Sequence, residues 1–204
     1  MTGRQKSNVG FLVCIEGLDA SGKTTQARLL TDFLRSRGYK VLHTTEPTTS
    51  PIGRLIKERV LRGAVRPPPV VEALLFAADR LQHVRDVIKP ALNRGYIVIS
   101  DRYVYSSLAY QGAAGLSLDW IRGINRFAPK PDLAIYLDVD PETAMKRIKR
   151  ERTLMENLEV QRGVRSIYLK LVESGELVLV DGERNVEEVF KDVKALTLKL
   201  MGGS

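Results

Sequence analysis

The sequence predicts an α/β fold, a five-stranded parallel sheet flanked by helices on both faces. Three observations carry that prediction. Five short apolar runs, Phe11–Ile15, Tyr39–Thr44, Tyr96–Ser100, Leu133–Val139 and Leu177–Val180, alternate with stretches of helical periodicity. Gly38, Gly95 and Gly175 each stand just ahead of such a run, the place of a helix C-cap. A glycine-rich octapeptide joins the first run to the first helical stretch.

That octapeptide, Gly17-Leu18-Asp19-Ala20-Ser21-Gly22-Lys23-Thr24, spells G-x-x-x-x-G-K-T. The helix after it opens with Thr25-Gln26-Ala27-Arg28-Leu29-Leu30 and carries Phe33 and Leu34 on the same face. In a strand–loop–helix context the backbone N–H groups of such a loop turn inward around phosphate oxygens, and the helix dipole adds to the attraction. Lys23 is expected to reach the β- and γ-phosphates, and the Thr24 hydroxyl to ligate Mg²⁺. A bare turn has no use for Lys-Thr after its second glycine, so the chain is expected to bind a nucleoside triphosphate with Mg²⁺ as cofactor.

The helix before the third strand is expected to begin near Val70, after Pro67-Pro68-Pro69, and to pass Pro90 near its end. The third strand runs straight into Asp101-Arg102-Tyr103, at the sheet edge that carries the phosphate loop. There Asp101 can hold Mg²⁺ and Arg102 can make paired bonds to phosphate; a structural ion pair between loops is the alternative. Ser106-Ser107-Leu108-Ala109-Tyr110-Gln111-Gly112 then reads as a short helix with interleaved polar groups. Pro141 suits the first position of another helix, and Val186, Val189, Phe190, Val193 and Leu196 form an apolar stripe on the last. No repeat or linker interrupts the chain, so residues 1–204 are expected to form a single domain with a flexible tail over residues 1–8.

The composition is that of a soluble protein, with 44% apolar and 27% charged residues in 204. No window approaches the roughly 18 apolar residues of a membrane span, and no export signal is evident. The one cysteine, Cys14, falls inside the first strand and is expected to be a small buried hydrophobe. These features point to a cytoplasmic protein without a membrane partner. The net charge of +8 invites a nucleic-acid reading, but no stripe of aromatic and basic residues supports one. Cations gathered in a cleft for polyanionic small molecules account for the charge better.

The chain resembles the thymidylate kinase family over most of its length. The resemblance is carried by Glu16 through Gln26, Glu46-Pro47 before Ile52-Gly53, and Phe76-Ala77-Ala78-Asp79-Arg80. It continues through Asp101-Arg102-Tyr103, Ser106, Ala109-Tyr110-Gln111-Gly112, Pro131-Asp132-Leu133 and Tyr136-Leu137-Asp138-Val139. The resemblance implies a P-loop kinase fold with a short arginine-containing lid, at about residues 147–157. It implies ATP and dTMP as substrates, Mg²⁺ as cofactor, and a homodimer.

It also implies roles for individual residues. Phe76 would stack on thymine, and Arg80, one turn later on the same face, would reach the thymine carbonyl edge or the acceptor phosphate. Gln111 would pair with the base edge, Tyr110 would pack under the sugar, and Arg102 and Ser106 would serve the acceptor phosphate or base. Asp19 resembles the carboxylate near the sugar 3′-OH. Thr48-Thr49-Ser50 departs from the family's Gly-Gly-Thr or phosphate-binding arginine, and Lys57 stands where an arginine is frequent, with Arg54 a possible substitute. Because Ala20 replaces the loop arginine of some members, the lid would supply Arg147, Arg150 and Arg152 as catalytic residues, alongside Lys23, Asp101 and Arg102. Deoxynucleoside kinases share the loop and the Asp-Arg element, but their tryptophan after Glu-Pro is missing, Trp120 being the only one. Another nucleoside monophosphate kinase, or a nucleotide-binding module without turnover, are the remaining readings.

Overall fold

Strand β1 (Phe11–Gly17) occupies the middle of the sheet because it is apolar on both sides, Leu12 to Gly17 all being buried. The computed structural model describes residues 10–63, 65–149, 153 and 155–202, and the expected tail over residues 1–8 lies outside them. β1 pairs in parallel with β3 (Ile97–Asp101) and with β4 (Leu133–Asp138). β2 (Val41–Thr45) lies outside β3 and β5 (Val178–Asp181) outside β4, so the order is β2-β3-β1-β4-β5. All five expected strands form, with ends within two residues of the apolar runs.

Alternation along the strands feeds two cores. Leu12, Cys14, Val98 and Tyr136 face one way, toward Tyr103, Leu108, Val164 and Tyr168. Val13, Ile15, Ile97, Ile99, Ile135 and Leu137 face the other, toward Leu30, Leu34, Val189 and Val193. Each fully buried Leu or Ile contributes about 2 kcal/mol relative to an exposed one. Cys14 is fully buried as expected, and that burial raises its thiol well above the ordinary range.

The second face is covered by α1 (Lys23–Ser36) and α9 (Val186–Leu200). On the first face, α2 (Pro51–Leu55) starts at a Ser50 cap and continues as a wider π-helical stretch, Ile56–Leu61. α3 (Pro69–His83) starts with proline in its first turn and passes through a π-helical turn, Val84–Ile88, into α4 (Lys89–Asn93). The widening falls where Pro90 cannot donate to the Asp86 carbonyl. α5 (Val104–Ala113) and α6 (Leu118–Ile124) follow β3. After β4 come α7 (Pro141–Arg147), capped by Asp140, and α8 (Leu158–Glu173), capped by Asn157. Among the described residues no helix is long and apolar enough to cross a membrane.

Register decides where function can sit. Ile15 and Thr45 both stand opposite Asp101, and Gly17 opposite Leu137. The carboxyl ends of β1, β3 and β4 therefore converge, at the point where the chain switches sides of β1.

Candidate active site

The glycine loop wraps the carboxyl end of β1. A side chain at Gly17 would meet Ser21 Oγ at 2.6 Å and the Leu137 carbonyl at 2.8 Å, so only glycine permits this close turn. Gly22, at φ 96°, caps α1 without any side-chain bond to the first helical turn. Ser21 Oγ is buried with no partner among the described residues. A helix N-terminus left uncapped beside an orphaned hydroxyl is chemically suited to an anion.

Lys23 is only 6% exposed, and its Nζ bends back to donate to the Leu18 carbonyl at 2.5 Å. Burial, with Arg102 nearby, lowers its ammonium to about 8, against the pull of Asp19, Asp101 and Glu16. Thr24 Oγ1 donates to Asp101 Oδ2 at 2.5 Å, so the two oxygens expected to serve Mg²⁺ lie side by side.

Arg102 takes a left-handed backbone, φ 73°, at a cost of roughly 1 kcal/mol or more for a residue with a side chain. The conformation is held from both sides: its N–H donates to the Ile15 carbonyl at 3.1 Å, and its carbonyl accepts from Ser100 Oγ at 2.7 Å. Its guanidinium donates to Asp19 Oδ1 at 2.5 Å, Ser106 Oγ at 3.0 Å and the Gly17 carbonyl at 3.2 Å. It also lies over the Tyr110 ring, 5.3 Å from its centroid. Burial alone would raise the Asp19 carboxyl, but Arg102, Lys23 and the Tyr110 hydroxyl outweigh it and hold the group below its ordinary range.

A cavity opens beside this cluster. Its walls are Pro47, Leu61, Phe76 and Met155, and its polar groups include Asp19, Arg102, Ser106, Ser107, Tyr110 and Gln111. Thr153 and Glu156 complete the lining, so described parts of the expected lid lie against this cavity. Arg147 lines a separate cleft with Ala20 of the phosphate loop, and its Nη1 donates to the Gly182 carbonyl. Arg150 and Arg152 lie outside the described residues.

Arg80 is tied closely to the protein around it. The residue is 1% exposed and is absent from the cavity wall. Four of its five N–H donors are taken, by Glu46 at 2.8 Å, Ser107 at 3.0 Å, Asn125 at 2.7 Å and the Tyr103 carbonyl at 3.0 Å. A guanidinium so engaged braces Ser107, which does line the cavity, and has one Nη2–H left over. Lys57 and Arg54 are likewise turned to backbone, donating to the carbonyls of Thr48 and Thr49 at 2.9 and 2.8 Å. Asp79 fixes that loop by accepting from the Thr48 N–H and the Thr48 and Ser50 hydroxyls.

Two buried carboxylates had no role assigned from sequence. Glu16, fully buried, accepts from the Tyr103 N–H at 2.8 Å, Ser106 Oγ at 2.6 Å and Tyr168 Oη at 3.1 Å. Burial raises its carboxyl above the ordinary range in spite of these bonds. Glu72 accepts from Gln111 Nε2 at 2.7 Å. Its sequence signal is the helical stripe Glu72, Phe76 and Arg80, four residues apart on one face of the helix.

A phosphate loop on a parallel sheet, beside a half-apolar cavity with a guanidinium between them, is the architecture of a P-loop nucleotide kinase. The model of the thymidylate kinase family matches residues 15–193 of this chain. A protein of Pyrococcus abyssi named "Probable thymidylate kinase" is 51% identical over 195 residues, covering 92% of this chain and 95% of that relative. Relatives of the same name in Pyrococcus horikoshii and Thermococcus kodakarensis are 48% and 45% identical, over 92% and 94% of this chain and 95% and 99% of their own. The chain belongs to the thymidylate kinase family.

Proposed function

We propose that the protein transfers the γ-phosphoryl group of Mg-ATP to dTMP, giving dTDP and ADP for dTTP synthesis. The observation that carries the choice of acceptor is Gln111 Oε1. It is a buried amide oxygen with no partner among the described residues, in a side chain that lines the acceptor cavity. Such an oxygen wants an N–H, and position 3 of thymine supplies one. Cytosine presents a bare nitrogen there, which would leave two acceptors facing each other.

Phe76 offers its face to the base, Tyr110 and Asp19 take the sugar side, and Arg102 with Ser106 takes the acceptor phosphate. The backbone of Gly17 to Gly22 cradles the triphosphate of ATP, with Lys23 on its outer phosphates. Thr24 and Asp101 suit Mg²⁺, which needs few protein oxygens when phosphate and water complete its shell. When bound, the ion neutralises charge on the β- and γ-phosphates.

Arg147, Arg150 and Arg152 are kept as the cations offsetting repulsion between the two phosphate groups. The acceptor phosphate carries about −1.5 to −2 charge near neutral pH, so no dedicated base is needed. Exposed Val70, Val71 and Leu74 on α3 support a homodimer, checked by a solution mass of twice the chain. A cytoplasmic location is part of the same reading.

The reading is tested by incubating the protein with Mg-ATP and, separately, dTMP, dUMP, dCMP, AMP and thymidine, and measuring ADP and product. Fast turnover of dTMP with little of dCMP and thymidine is the expected result; turnover of thymidine but not dTMP would overturn it. Phe76→Leu keeps the wall apolar but removes the ring face. It is expected to weaken dTMP binding about tenfold, a stacking loss of 1–2 kcal/mol, while kcat changes less. An unchanged dTMP affinity would count against stacking on Phe76.

A further inference from the structure

The polarity of Gln111 is set from behind. Glu72 is fully buried in α3, and both its oxygens are engaged. Oε2 accepts from Arg66 Nε at 2.7 Å, while Oε1 accepts from Arg66 Nη2 at 3.0 Å and from Gln111 Nε2 at 2.7 Å. A carboxylate gripped by both arms of a guanidinium can only accept. Gln111 must therefore turn its NH₂ toward Glu72, and its Oε1 remains the atom without a partner among the described residues.

A primary amide is nearly symmetric in shape, and an unanchored glutamine can present either atom to a ligand. We propose that Glu72, locked by Arg66, is a positioning residue that makes the acceptor cavity read a ring N–H and reject a ring nitrogen acceptor. The proposal rests on the reading of the cavity as the dTMP site. Glu72 touches no substrate in this account; it acts through Gln111 alone. Arg66 is a quarter exposed and precedes α3, so the selectivity of the cavity is held by a contact that begins at the protein surface.

The test compares steady-state kinetics of dTMP and dCMP in full-length Glu72→Ala, Arg66→Ala and Gln111→Ala variants. In Glu72→Ala, kcat/KM for dTMP is expected to fall severalfold, chiefly through KM, because the freed amide must first turn its Oε1 to the ring N–H. That for dCMP is expected to rise, since a rotated amide can donate to its ring nitrogen. The selectivity ratio should thus contract by more than about tenfold, with a smaller contraction in Arg66→Ala.

A merely structural Glu72 would lower both nucleotides in parallel, and that result would overturn the proposal. If Glu72→Ala does not fold, Arg66→Ala carries the test, and an unchanged ratio there overturns it. Gln111→Ala separates the two levels. A wild-type ratio in that variant would sink the assignment of the base site itself. A collapsed ratio in Gln111→Ala, with wild-type ratios in the other two, would sink the positioning role alone.

Discussion

Lys23→Ala is expected to lower kcat for dTMP phosphorylation by about 10³-fold, since positioned cations do most of the work in phosphoryl transfer. The loop itself should survive. Among the described residues Lys23 Nζ holds only the Leu18 carbonyl, and the turn is set by Gly17, Gly22 and the backbone bond from Ser21 N–H to the Leu18 carbonyl at 3.2 Å. Loss of turnover with retained thermal midpoint is thus the expected pair of results, and near-normal turnover would refute the role.

The same residue predicts a pH signature. Its ammonium is lowered to about 8 without nucleotide, and the negative charge of a triphosphate raises it. ATP affinity should therefore fall as pH rises through 8, and binding at pH 8.5 should take up a proton. Calorimetry in two buffers of different ionisation enthalpy measures that uptake, which should vanish in Lys23→Met; uptake persisting there would assign it to another group. Folding stability runs the opposite way. The folded protein holds fewer protons at this site than the unfolded chain between about pH 8 and 10.5, so the penalty for burying the charge is relieved as pH rises across that window.

The central strands β1, β3 and β4 were legible because strands buried on both faces must be largely apolar, and such runs cannot be mistaken for solvated loops. Residues of the site that lie together in the chain were legible for a related reason. The loop from Gly17 to Thr24 and the Asp101-Arg102-Tyr103 turn act through backbone shape, which short spacing determines. What could not be read was the direction of long side chains. Spacing placed Phe76 and Arg80 on one helix face, yet Arg80 turns to Glu46 and Asn125, 34 and 45 residues away. Glu72 meets Gln111 across 39 residues, and that contact exists only because α3 packs on α5. Glu16 looked like one more strand residue until Ser106 and Tyr168 closed on it.

Arg102 distinguishes a structural cluster from a working one. Among the described residues Arg102→Ala leaves Asp19 with only the Tyr110 hydroxyl as a bonded partner, and it removes the charge beside buried Glu16. Breaking such a pair costs about 3 kcal/mol, and the left-handed backbone stays, because the bonds that hold it use the main-chain N–H and carbonyl of residue 102. If the cluster were only an ion pair between loops, stability would fall while activity per folded molecule stayed near wild type. If Arg102 also meets the acceptor phosphate, kcat/KM for dTMP should fall by about 10²–10³-fold at temperatures where the variant is fully folded. Arg102→Lys sharpens the distinction. A single ammonium keeps the charge but cannot reach Asp19, Ser106 and the Gly17 carbonyl together, as the guanidinium does. It should recover most of the lost stability and little of the lost kcat/KM, because the acceptor group needs the fork more than the charge. Recovery of both in parallel would return Arg102 to a structural role and leave the acceptor phosphate to other cations.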